Sequence, residues 1–192
     1  MSPEDVVLYT PRLELRLPRP EAAGRVASYF RENDAFLEPW SPPAPPGWLT
    51  DGYWRARLRA SREEVRAGSS LRLFLFPRDE PEGPVLGTCN FTQISRGPFQ
   101  ACYLGYGLAE RRQGQGLMRE ALACALQHVF QRLRLHRVMA NHMPHNERSA
   151  RLLRRLGFVV EGYARDYLFV NGAWRDHVLT SLTTPEPTPP PE

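Results

Sequence analysis

The chain has 192 residues, with 25 basic side chains against 21 acidic ones and a formal charge of +4, and all 25 are arginines. Without lysine there is no Schiff-base chemistry, no phosphate loop with a Gly-Lys pair and no kinase-type phosphate anchor. The three cysteines, Cys89, Cys102 and Cys124, form no C-x-x-C pair. That argues against a disulfide framework and against a zinc site, so no metal is expected.

The positive charge favours an anionic partner such as a nucleotide, a phosphorylated cofactor or RNA, though weakly, because it is spread along the chain. A length of 192 residues fits one domain that buries roughly 70% of its unfolded surface. Glu4, Asp5, Arg12, Glu14 and Arg16 occupy the first 20 residues, where a signal peptide needs an apolar run. No apolar stretch approaches a membrane span, so a cytoplasmic protein is expected.

In chain order, residues 1–10 read as an N-terminal extension, 11–184 as the domain and 185–192 as a disordered proline-rich tail. Leu13, Leu15 and Leu17 alternate with charges, the period of a half-buried strand. Pro20 opens a helix carrying Val26, Tyr29 and Phe30 on one face. A stiff proline loop from Pro39 to Pro46 holds Trp40 and Trp48 at its ends; tryptophans there serve either a binding site or the edge of a core. Trp54, Leu58 and Val65 mark a second helix capped by Thr50 or Asp51.

Leu71–Phe76, Val85–Ile94 and Ala101–Leu108 read as an antiparallel meander. Leu117–Leu133 is a helix, Val138–Asn141 a short strand, and Asn146–Leu156 a helix stopped by Gly157, after which Phe158 begins another strand. Tyr163–Val170 and His177–Leu182 flank the hairpin turn Asn171-Gly172. The class is α+β, or mixed α/β: a single domain with a mostly antiparallel central sheet, flanking helices and one strand-helix-strand crossover in its second half.

The segment Leu108-Ala-Glu-Arg-Arg-Gln-Gly-Gln-Gly-Leu-Met-Arg119 joins a strand end to a long helix through a tight glycine loop. Gly114 and Gly116 let backbone amides point into a concavity at a helix N-terminus, which suits a pyrophosphate. Arg111 and Arg112 precede it with guanidinium groups that match phosphate oxygens. A Rossmann fingerprint fails because Arg119 stands where a third glycine or alanine belongs, leaving R-x-x-G-x-G. Alone, such a turn serves equally as a tight connection.

R-x-x-G-x-G after a glycine-containing strand resembles the acetyl-CoA site of the GNAT acetyltransferase superfamily. Asn146, Ser149, Leu152 and Gly157-Phe158 stand at the spacing of that superfamily's second motif, N-x-x-(A/S)-x-x-L-x-x-x-x-G-F. Within the superfamily, Cys102-Tyr-Leu-Gly-Tyr106, Gly114-Gln-Gly-Leu-Met118, Met143-Pro-His-Asn146, Glu161-Gly-Tyr-Ala164 and Trp174-Arg-Asp-His-Val-Leu179 are similar to the RimJ-type ribosomal-protein alanine N-acetyltransferases. The resemblance runs from about Leu13 to Thr184.

It implies strands splayed around acetyl-CoA. The backbone of Tyr106, Gly107 and Leu108 would pair with the pantetheine arm. The amides of Gln113, Gly114, Gln115, Gly116, Leu117 and Met118, with Arg111 beside them, would hold the pyrophosphate, and Asn146 would sit near the cofactor's reactive end. The tyrosine that many members use to protonate the departing thiolate would fall at Leu153, and Ser149 takes that role by analogy with RimL-like relatives. Asn146 and Ser149 also read as a helix cap and a first-turn polar residue.

The implied reaction is attack of a neutral amine on the thioester. An α-amine of pKa about 7.8 is roughly 15% neutral at pH 7, whereas a lysine amine is only about 0.04% neutral. An N-terminal acceptor therefore needs only a weak base. Asp166 and Glu161 are the candidate bases, with a solvated charge on a late strand as the alternative. Trp40, Trp48 and Tyr103 are candidates for lining the acceptor groove, with core packing as the alternative. Cys102 reads as core, and His142 and His145 as shaping the loop between strand and helix.

The implied acceptor is the N-terminal alanine of a small-subunit ribosomal protein of the uS5 class, met free or on the assembling subunit. Rival readings are acetylation of another amine (a different protein N-terminus, an antibiotic or a polyamine) and an arginine-rich RNA- or ribosome-binding factor, for which Arg148–Arg155 is the relevant helix.

Overall fold

Apolar positions buried on both faces set the central strands, and three-to-four spacing sets the helices. The structure, a computed structural model, describes residues 3–184. The expected tail at 185–192 lies outside the described residues. In order come β1 (Val7–Tyr9), β2 (Leu13–Arg16), α1 (Ala23–Leu37), α2 (Asp51–Arg66), β3 (Leu71–Pro77), β4 (Gly87–Ser95), β5 (Ala101–Leu108), α3 (Leu117–Gln131), β6 (Arg137–Met139), α4 (Glu147–Arg155), β7 (Val159–Val170) and β8 (Ala173–Thr183).

One sheet runs in the order β1-β2-β3-β4-β5-β6-β8-β7. Among the described residues only β5 and β6 pair in parallel, joined by α3; a second helical crossover, α4, carries the chain from β6 past β8 to β7, so there are two crossovers where the sequence reading expected one. The sheet is thus mostly antiparallel, as expected.

The local signals are those of the sequence. Pro20 sits in a 3-10 turn that leads into α1. The Thr50 side chain accepts from the Tyr53 amide at 3.2 Å and caps α2. Gly157 ends α4 at φ +91°, and Asn171 and Gly172 both take positive φ between β7 and β8. The strand expected from Phe158 and the one expected from Tyr163 are one strand, β7, in which bulges between Val160 and Gly162 and between Ala164 and Leu168 break the alternation a sequence reading follows; β8 also starts earlier than expected.

The described part of the segment read as an extension is tied to the domain. Val7–Tyr9 pairs with β2, Arg62 reaches Asp5 at 2.7 Å, and Arg66 reaches Glu4 at 2.5 Å.

Each face of the sheet has its own core. Leu73, Leu75, Cys89, Phe91, Cys102 and Leu104 pack with α3 and with Leu153 of α4. Phe74 and Phe76, the alternate positions of β3, pack with α1 and α2 on the other face. Between the two cores the sheet opens. β5 and β6 pair only through Ala101↔Arg137, Cys102↔Val138 and Tyr103↔Met139, after which β6 ends and β5 continues to Leu108. From Leu104 onward that edge of β5 has no neighbouring strand, so its outward amides and carbonyls are available to a ligand.

Candidate active site

The open edge leads straight into the glycine loop. Gly114 and Gly116 both stand at φ +76°, where a side chain is strained, and Gly116 is the N-cap of α3. The Glu120 amide donates to the Gly116 carbonyl at 3.1 Å, so the amides ahead of it in the first turn have no helical acceptor.

Side chains hold the loop in that pose. Gln113 Nε2 donates to the Leu108 carbonyl at 2.9 Å, Gln115 Nε2 to the Arg111 carbonyl at 3.3 Å, and Arg12 Nη1 to the Gln115 carbonyl at 3.0 Å. With those carbonyls engaged, the concavity is lined by N–H groups at a positive helix end. Leu117 and Met118 contribute backbone there while their side chains are buried in the core.

Two supports of this loop escaped the sequence reading. Glu120 accepts from Thr10 Oγ1 at 2.6 Å and from Arg12 Nε at 2.7 Å, so β1–β2 is tied to α3. Burial alone would raise the Glu120 pKa, but these hydrogen bonds outweigh it and hold the carboxyl below its usual range. Asn33, buried in α1, accepts from the Glu110 amide at 2.9 Å and donates to the Tyr29 carbonyl at 2.7 Å. Separations of 77 to 110 residues left no local pattern to find them by.

A cavity of about 610 Å³ lies against α3 and the end of α4, with Arg12, Gly116, Arg119 and Arg155 among its lining residues. Its positive charge and its position beside the loop suit a phosphorylated nucleotide.

Tyr106 and Ser149 meet at the open part of β5. Their hydroxyl oxygens are 2.6 Å apart across 43 residues of sequence. Burial pushes the Tyr106 phenol up to about 12, with the Ser149 contact opposing more weakly. Both groups therefore carry their protons at neutral pH. If the phenol donates to Ser149 Oγ, the serine proton is free to be given to a third atom. Asn146 fixes the serine: its Oδ1 accepts from the Ser149 amide at 3.1 Å and caps α4. Leu153, where the tyrosine of related enzymes was sought, is buried in the core, and the phenol beside Ser149 arrives instead from β5.

Of the two candidate bases, Glu161 is corrected by the geometry. Arg137 Nη1 lies 2.6 Å from its carboxylate, and this hydrogen bond holds Glu161 below the usual range, making it a poorer proton acceptor. Arg137 pairs with Ala101 at the closed end of the β5–β6 junction, away from the splay. Asp166 sits in the second β7 bulge at φ +48°, exposed, with its amide donating to Asp176 at 2.9 Å. The same bulge turns Tyr167 back across the opening, where Asn141 Nδ2 donates to its hydroxyl at 3.0 Å. Hydrogen bonding with Tyr167 lifts the Tyr103 phenol above its usual range. Tyr103, in the last β5–β6 pair, thus lies at the mouth of the splay.

The two tryptophans of the proline loop part company. Trp40 is 40% exposed, with its ring 5.4 Å from His145 just ahead of α4. Trp48 is not in the groove: it packs edge-on against Phe30 at 5.1 Å and closes the α1/α2 core. Cys102 is core, its thiol pushed up to about 12 by burial. His142 is buried with Nδ1 3.0 Å from the Met143 carbonyl. The arginines of α4 form no uniform basic stripe: Arg148 covers the Phe36 ring, Arg151 pairs with Glu147 at 2.8 Å, and Arg155 lines the large cavity. No cluster able to hold a metal ion occurs among the described residues, and no helix there is long and apolar enough to cross a membrane.

Comparison with known proteins agrees with this arrangement. The family model of the acetyltransferase (GNAT) domain matches residues 12–159. The chain is 48% identical to the [ribosomal protein uS5]-alanine N-acetyltransferase of Escherichia coli (strain K12), over 96% of this chain and 94% of that one. The crystal structure of a ribosomal-protein-S5-alanine acetyltransferase from Vibrio fischeri is 36% identical with a TM-score of 0.91, covering 96% of this chain and 100% of that one. Mycobacterium smegmatis RimJ in complex with CoA-disulfide is 29% identical with a TM-score of 0.87, covering 97% and 93%. The chain belongs to the GNAT acetyltransferase family.

Proposed function

We propose that the protein transfers the acetyl group of acetyl-CoA to the α-amine of an N-terminal alanine on a small-subunit ribosomal protein of the uS5 class. It acts in the cytoplasm, on the free protein or on the assembling subunit. The observation that carries this reading is the junction of a glycine-turned amide cradle with an unpaired strand edge and, at that edge, the hydroxyl pair of Tyr106 and Ser149. The similarity to a uS5-alanine N-acetyltransferase along nearly the whole chain supports the choice of acceptor.

The residues fit acetyl-CoA in three places. The amides from Gln113 to Met118, with Arg111 beside them, take the pyrophosphate. The free edge of Tyr106, Gly107 and Leu108 pairs with the amides of the pantetheine arm. Arg119 and Arg155 flank the cavity for the phosphorylated nucleoside end.

At the edge, the acceptor nitrogen forms a bond to the thioester carbon as the carbon–sulfur bond breaks. The amine loses one proton and the departing thiolate gains one. Ser149 Oγ–H is the donor to the thiolate, the Tyr106 phenol restores that proton through the 2.6 Å contact, and water returns a proton to the phenol in place of the one the amine released to water. Asn146 keeps the serine on the first turn of α4. Because an α-amine is already roughly 15% neutral at pH 7, water near Tyr103 and Tyr167 is a sufficient base, and neither Glu161 nor Asp166 is required.

The test in cells is the intact mass of small-subunit proteins from a strain lacking the gene. One of them should be lighter by a single acetyl group and should regain it when the gene is restored. An unchanged set of masses contradicts the reading.

A further inference from the structure

On the face of the sheet opposite Ser149 lies a second cavity, of about 190 Å³, between α2 and strands β3 and β4. Its walls include Trp54, Arg57 and Ser61 of α2, Arg72 of β3 and Asn90 of β4, and among the described residues no aspartate or glutamate lines it.

The two guanidiniums share one carboxylate. Arg57 Nη2 contacts both oxygens of Glu64 at 2.8 Å, and Arg72 Nε contacts Oε2 at 3.1 Å. The Ser70 hydroxyl adds a bond to Oε2 at 2.9 Å. One negative charge thus faces two positive ones, and Nη1 of Arg57 with Nη1 and Nη2 of Arg72 make no hydrogen bond to the described residues. The side chains are mostly sheltered, with 22% and 27% exposure. A half-buried site with surplus cationic donors and, among the described residues, no carboxylate on its own walls is matched to a carboxylate.

The register of the sheet connects this cavity to the reaction edge. Arg72 pairs with Asn90, and Asn90 with Gly105; directly paired residues share a face, so these positions form one row across β3, β4 and β5. The row ends in a glycine. A Cβ built on Gly105 would meet nothing within 4 Å, so no side chain of β5 walls the cavity off from the splay. At Gly107, by contrast, a Cβ would come within 3.5 Å of Leu37 and of the Tyr29 hydroxyl, so the passage runs over Gly105. Strands are spaced about 4.8 Å apart, and an extended peptide advances about 3.3 Å per residue. A peptide with its amine at the β5 edge therefore brings the side chain of its second, third or fourth residue over the cavity.

We propose that this cavity is a specificity site that binds the carboxylate of an aspartate or glutamate at one of residues two to four of the acceptor. The assignment rests on the acceptor being a protein N-terminus, as argued above, and adds what the enzyme reads beyond the alanine.

The test uses purified full-length protein, acetyl-CoA and Ala-initiated peptides carrying glutamate or glutamine at position two, three or four. At one position, glutamate should raise kcat/KM at least ~10-fold over glutamine, the order of a hydrogen bond to a charged group. Arg72→Gln should erase that ratio while the KM for acetyl-CoA stays the same. Asn90→Asp places a competing negative charge opposite Arg72 without removing any member of the arginine–glutamate cluster, and should erase it too, so a folding defect in one variant does not decide the outcome. Equal turnover of all peptides, or a preference that survives Asn90→Asp, overturns the proposal and leaves alanine acetylation standing. Failure to acetylate any of the peptides overturns the acceptor reading and this proposal together.

Discussion

The two faces of the sheet solve different problems with different materials. The α3/α4 face presents mainly backbone: glycine-turned amides, an unpaired strand edge, and one serine fixed by a helix cap. The α1/α2 face presents side chains: Trp54, Arg57, Arg72 and Asn90 around a small cavity, with Trp40 and Tyr103 nearer the edge. A cofactor shared by a whole family can be held by groups every residue possesses. An acceptor that differs between relatives has to be read by side chains. The contrast makes the first face intolerant of changes in backbone conformation and the second tunable by single substitutions.

The largest expected effect is at the cradle. Gly116→Glu puts a Cβ at φ +76° and a carboxylate where the amides point. Strain of about 1–2 kcal/mol and like-charge repulsion together should remove acetyl-CoA binding by titration calorimetry and abolish activity.

Next, Ser149→Ala should lower kcat by about 10²-fold with little change in the KM for acetyl-CoA, the order expected for loss of a proton donor. Tyr106→Phe should lower kcat by about 10-fold, and the double variant should be no slower than Ser149→Ala alone if the hydroxyls act in series. Full additivity separates the pair and breaks the relay.

pH sharpens the same point. kcat/KM should rise as the acceptor amine deprotonates near pH 7.8 and stay flat up to about pH 10, because Tyr106 holds its proton up to about 12. A falling limb between pH 8 and 10 contradicts a protonated phenol in the relay. Stability should behave oppositely. The Cys89 and Cys102 thiols are both pushed up to about 12 in the fold, so above pH 8.5 to 9 the unfolded chain releases protons that the folded chain keeps. Their stabilising contribution is complete below that pH and falls by up to about 1.4 kcal/mol per unit per thiol above it, which thermal melts at pH 8 and 10 measure.

Smaller still, Asn146→Ala should cost about 1 kcal/mol of stability through the lost cap, visible as a Tm lower by a few degrees. Glu161→Gln should leave kcat within about 2-fold, since its partner is Arg137 at the closed end of the sheet.

The asymmetry between the faces also governs what the sequence reveals. A backbone cradle demands glycine at Gly114 and Gly116 and a cap at Asn146, and those demands appear as short motifs at fixed spacing. The meander β3–β5, the crossover through α3 and the final hairpin follow from local signals, whereas the insertion of β8 between β6 and β7 does not. What stays hidden is assembled across the chain: Asn33 beneath Glu110, Thr10 and Arg12 on Glu120, Tyr106 against Ser149. Glu161 and Trp48 illustrate the converse, residue types suited to a site whose register and packing carry them elsewhere. The β7 bulges account for both the mistaken strand length and the missed Tyr167, because an extra residue inverts the alternation that assigns side chains to a face.

The most direct test is to incubate the purified protein with acetyl-CoA and a peptide that begins with alanine and also contains an internal lysine, then map the product by tandem mass spectrometry. One acetyl group on the α-amine, absent with Gly116→Glu and strongly reduced with Ser149→Ala, is the predicted result. An acetyl group on the lysine, or turnover untouched by both substitutions, contradicts the account.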